Sequence, residues 1–178
     1  MKQVSYEEIK KRLESRKAKG HKVDARLFEE IKNAKALFLI TLEDEEYFMS
    51  LIWQSIEHTR FLTPVGESRT LRDIVQRMVE NSWTFEALSS KPKKYGYKYD
   101  PDWFISAEKI YSEFDIDIFD LIAVQPANES EQKESPNGTF YIFDGVHRTL
   151  VLAYKLVSLE LNYKPIEAVL LVPRVRRK

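Results

Sequence analysis

An aspartate, a histidine and an arginine stand within the five residues Asp144-Gly-Val-His-Arg148. An arginine offers phosphate oxygens a planar, bidentate fork. A histidine donates a hydrogen bond or a proton near neutral pH. An aspartate orients a hydroxyl, accepts its proton or holds Mg²⁺. These types in one short stretch point to a phosphate-bearing ligand. Two further groups carry charge in loops. Glu67 and Arg69 precede a helix, where functional groups are often presented, although turn and cap roles serve them equally. The stretch from Lys91 to Tyr99 interleaves basic and aromatic residues, a composition suited to a single strand or a phosphate backbone, with Lys93, Lys94 and Lys98 as the candidate contacts. An exposed lysine loop with packed tyrosines is the commoner use of such a stretch.

The elements that position the motif are legible on either side of it. Residues 140–143 (Phe-Tyr-Ile-Phe) suit a short buried strand, Asp144-Gly145 breaks the run, and apolar residues continue at helical spacing over 146–161. The first N–H groups of a helix lack internal partners and its dipole favours an anion, while glycine allows a ligand to approach the backbone. Gly145, Val146, His147, Arg148 and Thr149 are therefore the candidate phosphate-binding residues. A plain strand-ending turn, with His147 and Arg148 capping it or pairing with Asp144, is the competing account. The 146–161 helix is apolar almost all round, which places it at the centre of the fold or also against a second copy; a homodimer through this helix is an expected partner.

Composition bounds the alternatives. The 178 residues are 43% hydrophobic, enough for a sizeable core, with formal net charge +0. No global field draws the chain to nucleic acid or membrane, so such contact requires a local patch. Zero cysteines exclude disulfides and thiolate chemistry. No leading apolar segment or spanning stretch is evident, so no membrane partner and a cytoplasmic location are expected.

Along the chain, Ser5-x-x-Glu8 reads as a capping box opening a helix with Tyr6, Ile9 and Leu13 on one stripe, stopped at Gly20. Asp24 caps a second helix striped by Leu27, Phe28 and Ile31. Residues 36–42 fit either a buried strand or a continuation of that helix. Phe48, Leu51, Ile52, Ser55 and Ile56 repeat at helical spacing, and His58, with no second histidine at ligand spacing, reads as structural or exposed. Residues 60–69 suggest a short strand leaving into a turn. Thr70-x-x-Asp73 opens a helix bearing Leu71, Ile74, Val75, Met78 and Val79. Residues 103–114 suit another helix, 118–124 a strand ended by Gln125-Pro126, 127–138 a loop, and 166–172 a buried strand. The basic tail, Arg174 to Lys178, suits a solvated terminus better than a phosphate contact.

The 140–148 stretch, followed by a helix and a buried strand, resembles the ParB/sulfiredoxin superfamily, whose signature is a strand, a Gly-x-[His/Arg]-Arg turn and a helix. The Asp-Gly-x-His-Arg form is most similar to that of the ADP-dependent free serine kinases in the superfamily. The resemblance spans roughly 60–172 in outline, with Phe61-Leu-Thr-Pro64, Arg69 and Val79-Glu-Asn-Ser-Trp83 similar to the family's first strand and helix. It implies an α/β (α+β) fold with a small mixed sheet, in a domain over 60–178 carrying an insertion at about 83–115. Residues 1–59 form a helical N-terminal extension. It also implies binding of ATP or ADP, with CTP as a further candidate, and Mg²⁺, and phosphoryl transfer or nucleotide or phosphodiester hydrolysis. By the resemblance, Asp144 and His147 are catalytic candidates, Asp144 is also the candidate metal ligand, and Glu67 is the candidate for the family kinases' base, by its loop position. Two departures narrow the resemblance. Val146 stands at the sulfiredoxin cysteine, which excludes that chemistry, and the arginine-rich first box of the partition proteins is missing. With Lys178 the last residue, no downstream helix-turn-helix is expected. The alternatives are a ParB-like nuclease or DNA binder of a plasmid, phage or defence system, and a non-catalytic interaction module.

Overall fold

The continuous apolar run 166–172 forms β5 (Ile166–Val172), and its burial explains the whole architecture. Successive strand residues face opposite sides of a sheet. Ile166, Ala168 and Leu170 enter one hydrophobic cluster, while Val169 and Leu171 enter a second on the other face. A strand covered on both sides needs no polar face.

The computed structural model describes residues 1–19, 23–54, 61–64, 66–90, 101–115, 119 and 121–174. Around β5 stand β1 (Lys2–Val4), β2 (Ala36–Leu42), β3 (Ile122–Pro126) and β4 (Phe140–Asp144), in the order β1-β2-β5-β3-β4. β5 and β3 run parallel, and the other neighbours are antiparallel. One face is covered by α1 (Tyr6–Ala18) and α2 (Ala25–Asn33), whose Ile9, Leu13, Leu27 and Ile31 meet Leu37, Ala123, Val169 and Leu171. The other face carries α3 (Glu45–Met49), α4 (Leu71–Glu80), α5 (Phe85–Ser90), α6 (Pro101–Ser112) and α8 (Val146–Val157). The short α7 (Glu129–Glu134) lies between β3 and β4. The result is a mixed α/β fold of three layers.

The first 59 residues thus contribute strands as well as helices: β2 pairs with β5 along its full length. Buried Arg16 of α1 reaches across to the Leu121 carbonyl (3.1 Å), and Arg12 pairs with Glu167 of β5 at 2.8 Å. With α2, the helix that carries both arginines covers the sheet face opposite α8.

The expected start signals form as capping motifs: the Ser5–Glu8 box, Asp24 accepting from the Arg26 N–H, and Thr70 accepting from the Asp73 N–H. The ambiguous 36–42 run is a strand. Other expectations are corrected. Helical spacing at Phe48, Leu51 and Ile52 does not continue the helix, because α3 ends at Met49. The Ile52 N–H donates to Phe140 O (2.7 Å) and its carbonyl accepts from Ile142 N–H (2.9 Å), so pairing with β4 outcompetes the next helical turn. Residues 61–63 are a turn rather than a strand, held by the Arg77 guanidinium, which donates to the Leu62 and Ser68 carbonyls. The 127–138 loop contains α7, nucleated by an Asn128–Glu131 capping box. β3 starts at Ile122 after left-handed Leu121, and Gln125 and Pro126 are its last residues. α8 stops at Val157, where Leu159 (φ 55°) takes the chain out of the helix. Gly20, Ser55, Ile56, His58, Lys93, Lys94, Lys98 and the tail beyond Arg174 lie outside the described residues.

α8 is central. Leu150, Val151, Leu152, Ala153 and Leu156 are buried within the chain, against α4, α6 and the sheet. Intrachain packing therefore accounts for the all-round apolarity that suggested a second copy. Each Leu or Val side chain so buried contributes about 1.5–3 kcal/mol, an upper bound. Several such side chains anchor the helix, and the turn at its start is held in place with it.

Candidate functional site

β4 is short because it ends where it must turn. It pairs with β3 on one side, and on the other meets only the isolated bridge to Ile52 among the described residues. Between Ile142 and Asp144 the strand advances two residues against one on β3 (Val124 to Ala123). Such irregularities re-aim side chains at sheet edges. Asp144 follows directly, and Gly145 takes φ +91°, the left-handed region that glycine enters without strain. Space makes the same demand. A Cβ at 145 would stand 2.9 Å from Ile122 Cγ2 and 3.1 Å from Arg148 Nη2.

Gly145 is the N-cap of α8 and, lacking a side chain, makes no side-chain cap bond. Its carbonyl accepts from the Thr149 N–H at 2.8 Å. The Thr149 hydroxyl donates to the carbonyls of Gly145 (3.0 Å) and Val146 (3.1 Å), so this fully buried side chain braces the first turn from within. Arg148, 9% exposed, places Nη2 3.0 Å from Asp144 Oδ2. The competing account of the turn, in which Arg148 pairs with Asp144, is therefore the arrangement seen.

His147 lies flat on Trp103 of α6, with ring centroids 4.0 Å apart and planes at 26°. Trp103 stands edge-on to Trp53 at 5.5 Å, and the Trp53 indole N–H donates to the Val146 carbonyl at 3.2 Å. Trp53 is held in turn: its N–H donates to Arg69 O (2.8 Å), and its carbonyl accepts from Arg69 Nη1 (3.4 Å). The two indoles thus fix the Val146 backbone and the His147 ring. Neither tryptophan carries a local sequence signal for this role, because Trp53 and Trp103 reach the turn only through the tertiary fold.

The structure brings Asp144, Gly145, Val146, His147, Arg148 and Thr149 together in one turn. The loop candidates are engaged elsewhere. The Glu67 carboxylate pairs with Arg77 Nε of α4 at 3.0 Å, and Arg69 pairs with Glu134 of α7 at 3.0 Å while its N–H donates to buried Ser135 Oγ at 2.8 Å. Both pairs tie the 66–70 segment to neighbouring helices. On β4, burial pushes the Tyr141 phenol above its ordinary pKa. A separate concavity of about 250 Å³ lies between α5, α6 and α8, lined by residues such as Phe85, Glu108, Tyr111 and Tyr154 and by none of the predicted site residues.

Among the described residues, no group of three or more His, Asp or Glu side chains is placed to hold a metal ion by itself, and no helix is long and apolar enough to cross a membrane. No family model, curated protein or solved structure matches the chain.

Proposed function

We propose that this chain is a nucleotide-binding protein of the ParB/sulfiredoxin kind, which holds the phosphates of a nucleoside di- or triphosphate at the start of α8. Its chemistry is phosphoryl transfer, or hydrolysis of a nucleotide or phosphodiester. One observation carries the reading: a strand ends in a left-handed glycine that opens a helix, with the Arg148 guanidinium folded across that turn. The start of a helix and its dipole attract an anion, and the arginine adds a bidentate partner.

In this reading Gly145, Val146 and the His147 backbone hold phosphate oxygens with Arg148, and Thr149 keeps the turn rigid from inside. Trp103 fixes the His147 ring, which stabilises charge on the transferring group. Asp144 receives the proton of the acceptor. A single carboxylate suits Mg²⁺ that arrives on the phosphates, since that ion keeps several waters and needs only one or two protein oxygens. Asp144 would hold it, and the ion would neutralise phosphate charge. Glu67, paired with Arg77, acts in keeping its loop in place.

The test is calorimetric titration of ATP, ADP and CTP with Mg²⁺ into wild type and Arg148→Ala. Binding by wild type that disappears in the variant supports the reading. Equal binding by both overturns the assignment of the phosphates to this turn.

A further inference from the structure

In this structure the arginine assigned to phosphate already holds an anion. Arg148 Nη2 lies 3.0 Å from Asp144 Oδ2, and 3.1 Å from where a Cβ on residue 145 would stand, so the guanidinium is folded down over its own turn. The pair is mostly shielded, with side-chain exposures of 11% for Arg148 and 20% for Asp144. Asp144 thus takes a place in the arginine fork that a phosphate oxygen would use.

We infer that Asp144 and Arg148 form a latch, closed in the resting protein and opened by a multiply charged phosphate ligand. The inference rests on the phosphate reading of the turn. Its basis is competition. Asp144 and Arg148 are four residues apart across one turn, so their pairing costs no loss of translational freedom. A singly charged anion exchanges one charge–charge contact for another and must also surrender its own freedom, so it gains nothing. A di- or triphosphate meets the guanidinium with one phosphate and the helix-end N–H groups with another, and so displaces a lone carboxylate. The latch therefore selects polyphosphates over carboxylates and monoanions.

Opening has a second consequence. When Arg148 turns to the ligand, Asp144 loses its counter-ion at the moment the phosphates arrive. The carboxylate then becomes available to an acceptor hydroxyl or to a cation carried on the phosphates. Until then the base and the phosphate clamp neutralise each other, which leaves a resting site poorly suited to idle chemistry.

The probe is sodium pyrophosphate, titrated calorimetrically into the full chain as wild type, Asp144→Asn, Asp144→Ser and Arg148→Ala, each first checked for a cooperative thermal melt. Removing the internal competitor raises pyrophosphate affinity about threefold to tenfold in the Asp144 variants. Acetate at equal concentration fails to displace pyrophosphate from wild type. If Asp144→Asn does not fold, Asp144→Ser gives the same reading. Affinity that is unchanged or weaker in the folded Asp144 variants, with wild-type binding intact, overturns the latch and leaves the phosphate site standing. Binding unaffected by Arg148→Ala, or absent from wild type and Asp144 variants alike, overturns both.

Discussion

Replacing Gly145 by alanine separates two demands that the turn makes on its sequence. The first is conformational: at φ +91° an L side chain costs about 1–2 kcal/mol. The second is steric, because the new Cβ would stand 2.9 Å from Ile122 Cγ2 and 3.1 Å from Arg148 Nη2. Ile122 is fully buried in β3 and has little room to retreat, whereas Arg148 can yield only by loosening its contact with Asp144. Overpacking of this kind costs about 1–3 kcal/mol, so the total is about 2–5 kcal/mol. For a chain of this size that corresponds to a loss of roughly 4–20 °C in Tm. Gly66 provides the internal control. It has φ +84°, and a Cβ there would meet nothing within 4 Å, so Gly66→Ala bears the conformational cost alone. Urea melts of the two variants, with Ile122→Ala and the Ile122→Ala/Gly145→Ala pair to complete a double-mutant cycle, isolate the steric part. Ile122→Ala relieves part of the Gly145→Ala penalty. A Gly145→Ala variant no less stable than Gly66→Ala, or a cycle with no coupling, refutes the close-packed account of this turn.

Two further outcomes follow from the same contacts. Trp53→Phe removes the indole N–H from the Val146 carbonyl, which keeps the Thr149 hydroxyl, and the lost hydrogen bond costs about 0.5–1.5 kcal/mol in a urea melt, with weaker nucleotide binding because the start of α8 loses a brace; unchanged stability and binding contradict that role. Tyr111 gives a pH signature: its hydroxyl donates to Glu160 Oε1 at 2.5 Å, and this bond first, then burial, pushes the phenol from an ordinary 10.0 to about 12. A folded-state pKa above the unfolded one means that the stabilisation is complete below pH 10 and is lost as pH rises from 10 to about 12. Denaturation across that window shows wild-type stability falling more steeply than that of Tyr111→Phe, whereas parallel slopes refute the assignment.

The strand–glycine–helix unit was legible because its signals are local: a short apolar run, an Asp-Gly break and a sustained helical period. The capping motifs at Ser5, Asp24 and Thr70 were legible for the same reason. Tertiary pairing decided what spacing did not. Leu51 and Ile52 carry a helical pattern, yet the Leu51 carbonyl is claimed by Leu71 entering α4 and both backbone groups of Ile52 by β4. β1 has three residues and no apolar alternation, so only its partner β2 defines it. The continuous apolarity of β5 announced burial on both faces, but nothing in the sequence said that α1 and α2 supply the second cover. At the site, the charged residues were found by type and spacing. The indoles of Trp53 and Trp103 were not, because they arrive from elements about 94 and 44 residues away from His147 in sequence. Glu67 and Arg69 were correctly placed in a loop before a helix, but their ion pairs with Arg77 and Glu134 depend on contacts that no local pattern encodes.

The most direct measurement of the central claim is nucleotide titration with Mg²⁺ of wild type beside Arg148→Ala, with a thermal melt confirming that the variant is folded. The account predicts saturable binding of a nucleoside di- or triphosphate by wild type and its loss in the folded variant. Wild type that binds none of ATP, ADP or CTP, or a folded Arg148→Ala variant that binds as wild type does, contradicts a phosphate site at the start of α8.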